Sequence, residues 1–206
     1  MPLMKIDSVG DGILVGLWRM TENPESVLVQ YPHLAVVVAD LHSELRRQER
    51  LCVHALVYAM TGRCDLLVGH DAEGTPFLPG YAVSISHTRG FCAVILAQGR
   101  LLPLGIDIEY LSRRVEKVKD RFVRKDERAE GLMELLVNWC AKEAAYKFFS
   151  GQDLHYDEMF VEQHASEGVT AVNLKTGKEV TVCCEITSEY VLSYIKSMVE
   201  NSKKIS

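Results

Sequence analysis

The sequence predicts an α+β chain in two halves, each combining helices with a small antiparallel sheet. Three observations lead there. Residues 34–60 and 125–149 carry apolar residues at helical spacing. Each of these stretches is followed by short apolar or alternating segments separated by turn residues, the pattern of consecutive antiparallel strands. The character of the chain also changes near residue 103, which divides it into residues 1–103 and 104–206. A length of 206 residues fits one large domain or two small ones. With 48% apolar and 25% charged residues, the chain can bury a sizeable core without a metal or disulfide staple.

Taken in order, residues 12–20 (GILVGLWRM) are short, apolar and opened by glycine, and predict a strand. A helix is predicted over residues 22–30, with Asn23-Pro24 as its start. Residues 34–60 predict two helices or one bent helix, because the charged run 44–50 interrupts the apolar spacing; Thr61-Gly62 ends it. Residues 66–68 and 77–78 flank Gly74-Thr75-Pro76 and predict a short strand pair. Strands follow at 82–86, 91–97 and 104–109, joined by turns at 87–90 and 98–103. Residues 113–149 are charged and helical, with one long amphipathic helix from Lys125 onward, closed by Gly151. Four more strands are predicted near 159–164, 169–174, 180–186 and 191–196, with Thr176-Gly177 as a hairpin turn. The polar residues from Asn201 predict a frayed terminus.

Composition removes several function classes. A net charge of −5 argues against a non-specific nucleic-acid binder, which needs a basic surface to displace counterions. The six cysteines include no Cys-x-x-Cys pair, so they predict small reduced core residues. The N-terminus MPLMKIDSVG lacks a signal-peptide pattern, and no apolar stretch approaches the ~20 residues that cross a bilayer. The expectation is a cytoplasmic protein.

Two motifs carry chemistry. In Gly105-Ile106-Asp107-Ile108-Glu109, strand alternation puts Asp107 and Glu109 on one face and Ile106 and Ile108 in the core. Adjacent carboxylates raise each other's pKa unless a cation compensates, and oxygen-only ligation suits Mg²⁺ or Mn²⁺ rather than zinc. By itself such a pair reads as a solvated acidic edge strand. In Trp139-Cys140-Ala141-Lys142-Glu143-Ala144-Ala145-Tyr146-Lys147, helical spacing aligns Trp139, Glu143 and Lys147 in one stripe, with Lys142 beside it. Alone, this is an ordinary surface Glu–Lys pair. Together, the motifs describe a third carboxylate completing a metal site and a lysine for phosphate charge.

These two motifs, preceded by Ser84-Ile85-Ser86-His87-Thr88, resemble the 4′-phosphopantetheinyl transferases, and the length resembles the longer, Sfp-like branch. The resemblance runs from about residue 46 to 149. It implies a pseudo-dimer of two similar α+β halves working as a monomer. It implies an enzyme of the holo-[acyl-carrier-protein] synthase type, moving the phosphopantetheine arm of coenzyme A to a serine of an apo acyl or peptidyl carrier protein and releasing 3′,5′-ADP. On that resemblance Asp107, Glu109 and Glu143 would hold Mg²⁺, with Mn²⁺ an alternative. Glu143 would accept the serine proton and Lys147 would offset charge on the leaving oxygens. Ser86, His87 and Lys142 would touch coenzyme A phosphates. The N-terminal half would supply the nucleotide contacts, and the C-terminal half the metal site and carrier docking.

The chain departs from that family where Gly-Lys-Pro is common, having Gly74-Thr75-Pro76, and His54 stands where many relatives have arginine. Arg46, Arg47, Arg50 and Arg89 are candidates for the missing phosphate contacts. Arg113, Arg114, Lys117, Lys119, Arg121, Arg124 and Lys125, with Phe122 and Val123, are candidates to dock an acidic carrier helix. Two other functions stand against the transferase. One is a metal-dependent nuclease, opposed by the four-residue spacing of Glu143 and Lys147 and by the acidic net charge. The other is a non-catalytic binder of coenzyme A or carrier protein, favoured by the absent lysine and opposed by the complete metal-and-lysine set.

Overall fold

A computed structural model of the chain describes residues 2–99, 102–164 and 168–196, so the polar tail from Asn201 and residues 100–101 of the turn 98–103 lie outside the described residues. The chain opens with a strand the sequence pattern did not suggest. β1 (Leu3–Ser8) pairs antiparallel with β2 (Ile13–Arg19); it is a half-exposed edge strand with no clean alternation to give it away. α1 (Pro24–Gln30) begins where expected, the Asn23 side chain accepting the Ser26 amide at 2.8 Å. A 3₁₀ turn, Pro32–Val38, takes the place of the first part of the predicted helix.

α2 (Glu44–Thr61) corrects the expectation that the charged run 44–50 interrupts a helix. Those residues are its first two turns, and most of them face solvent; from Leu51 onward the helix is buried nearly all round. Gly62 ends it in the left-handed conformation, φ +68°. The short pair β3 (Gly69–His70) and β4 (Pro76–Phe77) is displaced from the predicted 66–68 and 77–78. Leu66 and Val68 are apolar because they are core residues, without being a strand. β5 (Tyr81–Thr88) and β6 (Phe91–Gln98) complete a four-stranded sheet ordered β1-β2-β6-β5.

The second half starts with β7 (Leu104–Tyr110) and α3 (Arg114–Val118), followed by a 3₁₀ turn, Lys119–Arg121. The long helix, α4 (Leu132–Phe148), starts later than the expected Lys125. Residues 125–131 are irregular because Glu127 is drawn inward, accepting the Arg124 amide at 2.8 Å and the Val161 amide at 2.7 Å. The Glu134 carboxylate accepts the Glu130 and Gly131 amides and fixes the true helix start. A 3₁₀ turn, Tyr156–Glu158, leads into β8 (Met159–His164), β9 (Gly168–Asn173), β10 (Lys178–Ile186) and β11 (Tyr190–Lys196), close to their predicted positions. The sheet order is β7-β11-β10-β9-β8.

Each half is thus a helix laid on an antiparallel sheet, and the two sheets meet face to face in the manner of a pseudo-dimer. β6 is buried on both sides: Cys92, Val94 and Leu96 pack toward α2, while Ala93, Ile95 and Ala97 pack against Ile106, Ile108 and Leu192 of the other sheet. Because Ile106 and Ile108 enter that shared core, strand alternation turns Gly105, Asp107 and Glu109 toward α4. Among the described residues no helix is long and apolar enough to cross a membrane.

Glycine sets the helix–sheet distance in both halves, but not to the same degree. A Cβ on Gly16 would meet the side chains of Met60 and Leu56 in α2. One on Gly105 would fall on the Ala144 carbonyl and come within 2.9 Å of the Phe148 amide, both backbone atoms of α4. A methionine tip can turn aside, whereas a helix backbone can only lift off. Gly105→Ala is therefore expected to lose at least the ~1–3 kcal/mol typical of overpacking, and Gly16→Ala less. Equal losses in denaturant titration would show that the two helices yield equally.

Candidate active site

β5, β7, α2, α4 and the β3–β4 region surround a cavity of about 880 Å³, in the upper part of the range of small-molecule and cofactor sites. Asp107, Glu109, Glu143 and Lys147 line its C-terminal wall. Ser86 and His87 come from β5, and Arg46, Glu49 and Arg50 from the exposed first turns of α2. Residues 41 to 153 thus converge on one space.

The carboxylates are anchored one by one. Asp107 Oδ1 accepts the Lys147 ammonium at 2.7 Å and the Ser86 hydroxyl at 2.7 Å, and its Oδ2 is buried with no partner. Lys147 also donates to the Ile106 carbonyl at 2.9 Å. Glu109 accepts the Trp139 indole N–H at 2.9 Å and, more weakly, the Thr88 hydroxyl at 3.4 Å. Glu143 accepts the hydroxyl of Tyr156. The side chains at 139, 143 and 147 therefore all turn toward the site, as the helical stripe requires.

Not every candidate residue is brought there. The Lys142 ammonium is fully buried, donating to Glu127 at 2.9 Å, the Phe122 carbonyl at 2.6 Å and the Tyr156 carbonyl at 3.1 Å. It lies outside the cavity lining, because one residue beyond Trp139's stripe the helix faces its own domain's loops. Arg47 is also outside, 3.8 Å from Glu25. Arg46 donates to Glu49 at 3.0 Å and Arg50 to the Val37 carbonyl at 3.4 Å, so both are tethered at the rim. His54 is buried: Nδ1 lies 2.8 Å from the Arg50 carbonyl and Nε2 accepts the Val68 amide at 3.2 Å, so it ties the loop after α2 to that helix.

Sequence reasoning missed two members. Glu49 stands between Arg46 and His87, 3.4 Å from His87 Nδ1, and its burial within the mostly solvated first turns of α2 has no signature in the charged run. Tyr156 lies outside both motifs, in the turn Tyr156–Glu158 nine residues beyond Lys147. Of the basic stretch, Arg113, Arg114, Lys117, Lys119, Arg121 and Lys125 are exposed, whereas Arg124 is tied to Asp126 at 2.9 Å. Phe122 is buried against Trp139 with ring centroids 4.9 Å apart, so it is core and offers no docking contact.

Burial raises Glu109 to about 7, with the Asp107 carboxylate pushing the same way. Glu143 is also raised, first by burial and then by Asp107. His87 is lowered, chiefly by burial. Acids pushed up together in one cavity signal missing positive charge. The three carboxylates supply only oxygen donors, and Asp107 Oδ2 is an orphaned buried acceptor, so in kind they fit a hard divalent cation. As they stand, no three His, Cys, Asp or Glu side chains among the described residues gather closely enough to hold one. Trp139 and Tyr156 account for the directions in which Glu109 and Glu143 are held.

A carboxyl raised on folding stabilises the fold in acid. For Glu109 that contribution is complete below about pH 4.3 and is lost as pH rises through about 7. With chelator present, Glu109→Gln is expected to raise the melting temperature at about pH 8, the gain shrinking toward about pH 5. A pH-independent difference would contradict this origin of the shift. Lys142→Ala leaves the buried Glu127 unmatched, and a loss of about 3–5 kcal/mol in chemical denaturation is expected. A loss under about 1 kcal/mol, as for an exposed pair, would contradict the buried pairing.

Residues 103–195 match the family model of the 4′-phosphopantetheinyl transferase superfamily. The matched segment contains Asp107, Glu109, Glu143 and Lys147, while Ser86, His87 and the α2 arginines precede it. Among curated proteins the chain has no match.

Proposed function

We propose that the protein, whose residues 103–195 match the family model of the 4′-phosphopantetheinyl transferase superfamily, transfers the 4′-phosphopantetheine arm of coenzyme A to a serine of an apo carrier protein, releasing 3′,5′-ADP. The observation that carries this is the cavity wall on which three carboxylates and Lys147 face Ser86, His87 and the α2 arginines. Asp107, Glu109 and Glu143 would hold Mg²⁺ or Mn²⁺, which when bound supplies charge neutralisation to the pyrophosphate. The protein's own groups do the rest. Glu143 takes the proton from the serine hydroxyl as the serine oxygen bonds to the pantetheine-side phosphorus. The bond from that phosphorus to the bridging oxygen breaks, and the ammonium of Lys147 offsets charge on the departing phosphate of 3′,5′-ADP.

The arginines at the cavity rim and His87 would steady the nucleotide end, with residues 1–103 contributing that wall and 104–206 the reacting groups. The exposed basic residues of α3 and the turn after it would receive the acidic helix of a carrier protein, working with one copy of this chain. Non-catalytic binding of coenzyme A is the second reading, supported by Thr75 and Glu73 at the cavity where a lysine would serve a phosphate. A nuclease is disfavoured because, among the described residues, the acids share their cavity with only Arg46, Arg50 and Lys147 as full cations.

Intact mass spectrometry of an apo carrier protein incubated with this protein, coenzyme A and Mg²⁺ separates these readings. A gain of one phosphopantetheine arm that chelation abolishes is expected. Binding of coenzyme A with no gain across several carriers would leave the non-catalytic reading. Glu143→Gln should cut turnover by roughly 10²–10⁴ with no loss of thermal stability, and wild-type turnover in that variant would exclude Glu143 as the base. Asp107→Ala should weaken the metal dependence; an unaltered Mg²⁺ titration would remove Asp107 from the ligand set.

A further inference from the structure

Each acid of the site gives one oxygen to the protein and keeps the other. Asp107 Oδ1 serves Lys147 and Ser86, and Oδ2 is buried and free. Glu109 Oε1 serves Trp139, and Oε2 has only the long contact from Thr88. Glu143 Oε1 takes the Tyr156 hydroxyl, and among the described residues no donor reaches its Oε2. Each of the three carboxylates on this wall thus keeps one oxygen that no short hydrogen bond claims, while a donor behind it holds the other.

The donor behind Glu143 is unusually well braced. The Tyr156 carbonyl accepts the fully buried Lys142 ammonium at 3.1 Å, and its ring packs on Trp139 with centroids 5.5 Å apart. Lys142 is in turn fixed by Glu127 and the Phe122 carbonyl, and Glu127 by the amides of Arg124 and Val161. A buried ion pair of this kind contributes little net stability over apolar packing, but it fixes geometry. What it fixes is the turn that presents the Tyr156 hydroxyl to the catalytic helix, one residue along from Lys142 itself. Trp139, packed on both Phe122 and Tyr156, carries the same brace to Glu109.

We propose that Tyr156 is a positioning residue for Glu143: its hydroxyl holds one carboxylate oxygen so that the other faces the cavity, and it thereby sets the affinity of the site for a divalent cation. The proposal rests on the metal-dependent transferase reading above and extends it to a residue outside the matched motifs. Donors that orient a ligating carboxylate typically change metal affinity 10–100-fold when removed. Tyr156→Phe deletes the hydroxyl and keeps the ring on Trp139, so it separates orientation from packing.

The test uses Mn²⁺ alone, following the free ion by electron paramagnetic resonance with wild type and Tyr156→Phe, and thermal unfolding as a control. Weaker Mn²⁺ binding by roughly 10–100-fold with an unchanged melting temperature is expected. In the transfer assay the variant should need more Mg²⁺ while recovering the wild-type maximal rate at saturation, a split that lost packing would not produce. Should Tyr156→Phe unfold, Tyr156→His supplies a ring with a donor, and affinity nearer to wild type than that of Tyr156→Leu is then expected. Mn²⁺ binding by Tyr156→Phe as tight as or tighter than wild type would overturn the proposal while leaving the metal site intact. Wild type that binds no Mn²⁺ yet transfers the arm would overturn the metal site and the role of Tyr156 together, but not the transferase reading.

Discussion

The backbone of α4 lies directly on the backbone of β7, with Gly105 leaving no side chain between the Ala144 carbonyl and the strand. Cys140, Ala141, Ala144 and Ala145 are fully buried and keep the rest of that contact thin. At this separation a lysine on the helix reaches both the Ile106 carbonyl and the Asp107 carboxylate, and an indole reaches Glu109. A side chain at 105 would lift the helix and carry Trp139, Glu143 and Lys147 away from the strand together. Gly105, the second residue of β7, therefore fixes the geometry of the cavity wall.

Two sets of buried charge sit side by side on α4 and differ in completeness. Lys142 and Glu127 match each other, and backbone donors and acceptors satisfy what remains. One residue further on, Glu143 belongs to a group in which Lys147 answers Asp107 while Glu109 and Glu143 have only neutral donors. Burial, and then the Asp107 carboxylate, raise those two acids. The satisfied set holds the structure, and the unsatisfied one is where chemistry is to be sought.

The two halves share a plan and divide the labour. In each, a long helix covers one face of an antiparallel sheet, and the opposite faces form the common core through Ile95, Ile106, Ile108 and Leu192. α2 brings arginines and Glu49 to the cavity with its solvated first turns, whereas α4 brings its reactive residues from the middle of a buried helix. A rim that can meet a charged ligand from solvent thus faces a wall protected from it.

Much of this was legible from the chain alone, for reasons visible in single elements. Period-two alternation in GIDIE determined which side chains share a face, and period-3.6 spacing aligned Trp139, Glu143 and Lys147, because these repeats are properties of local backbone geometry. Strands with regular alternation or full burial, such as β6 and β10, stood out, while the half-exposed β1 did not. Helix starts were the weak point. The run 44–50 is charged because it projects into solvent, and Glu127 leaves the helical pattern because distant amides and Lys142 claim it. Which charges are spent and which remain free was decided by tertiary structure alone. Spacing put Lys147 in the stripe and Lys142 beside it, but not that one would face Asp107 and the other a buried Glu127, and Tyr156 meets Glu143 only through the packing of a turn on α4. Local periodicity gives a side chain its direction; its partner comes from whatever part of the chain folds against it.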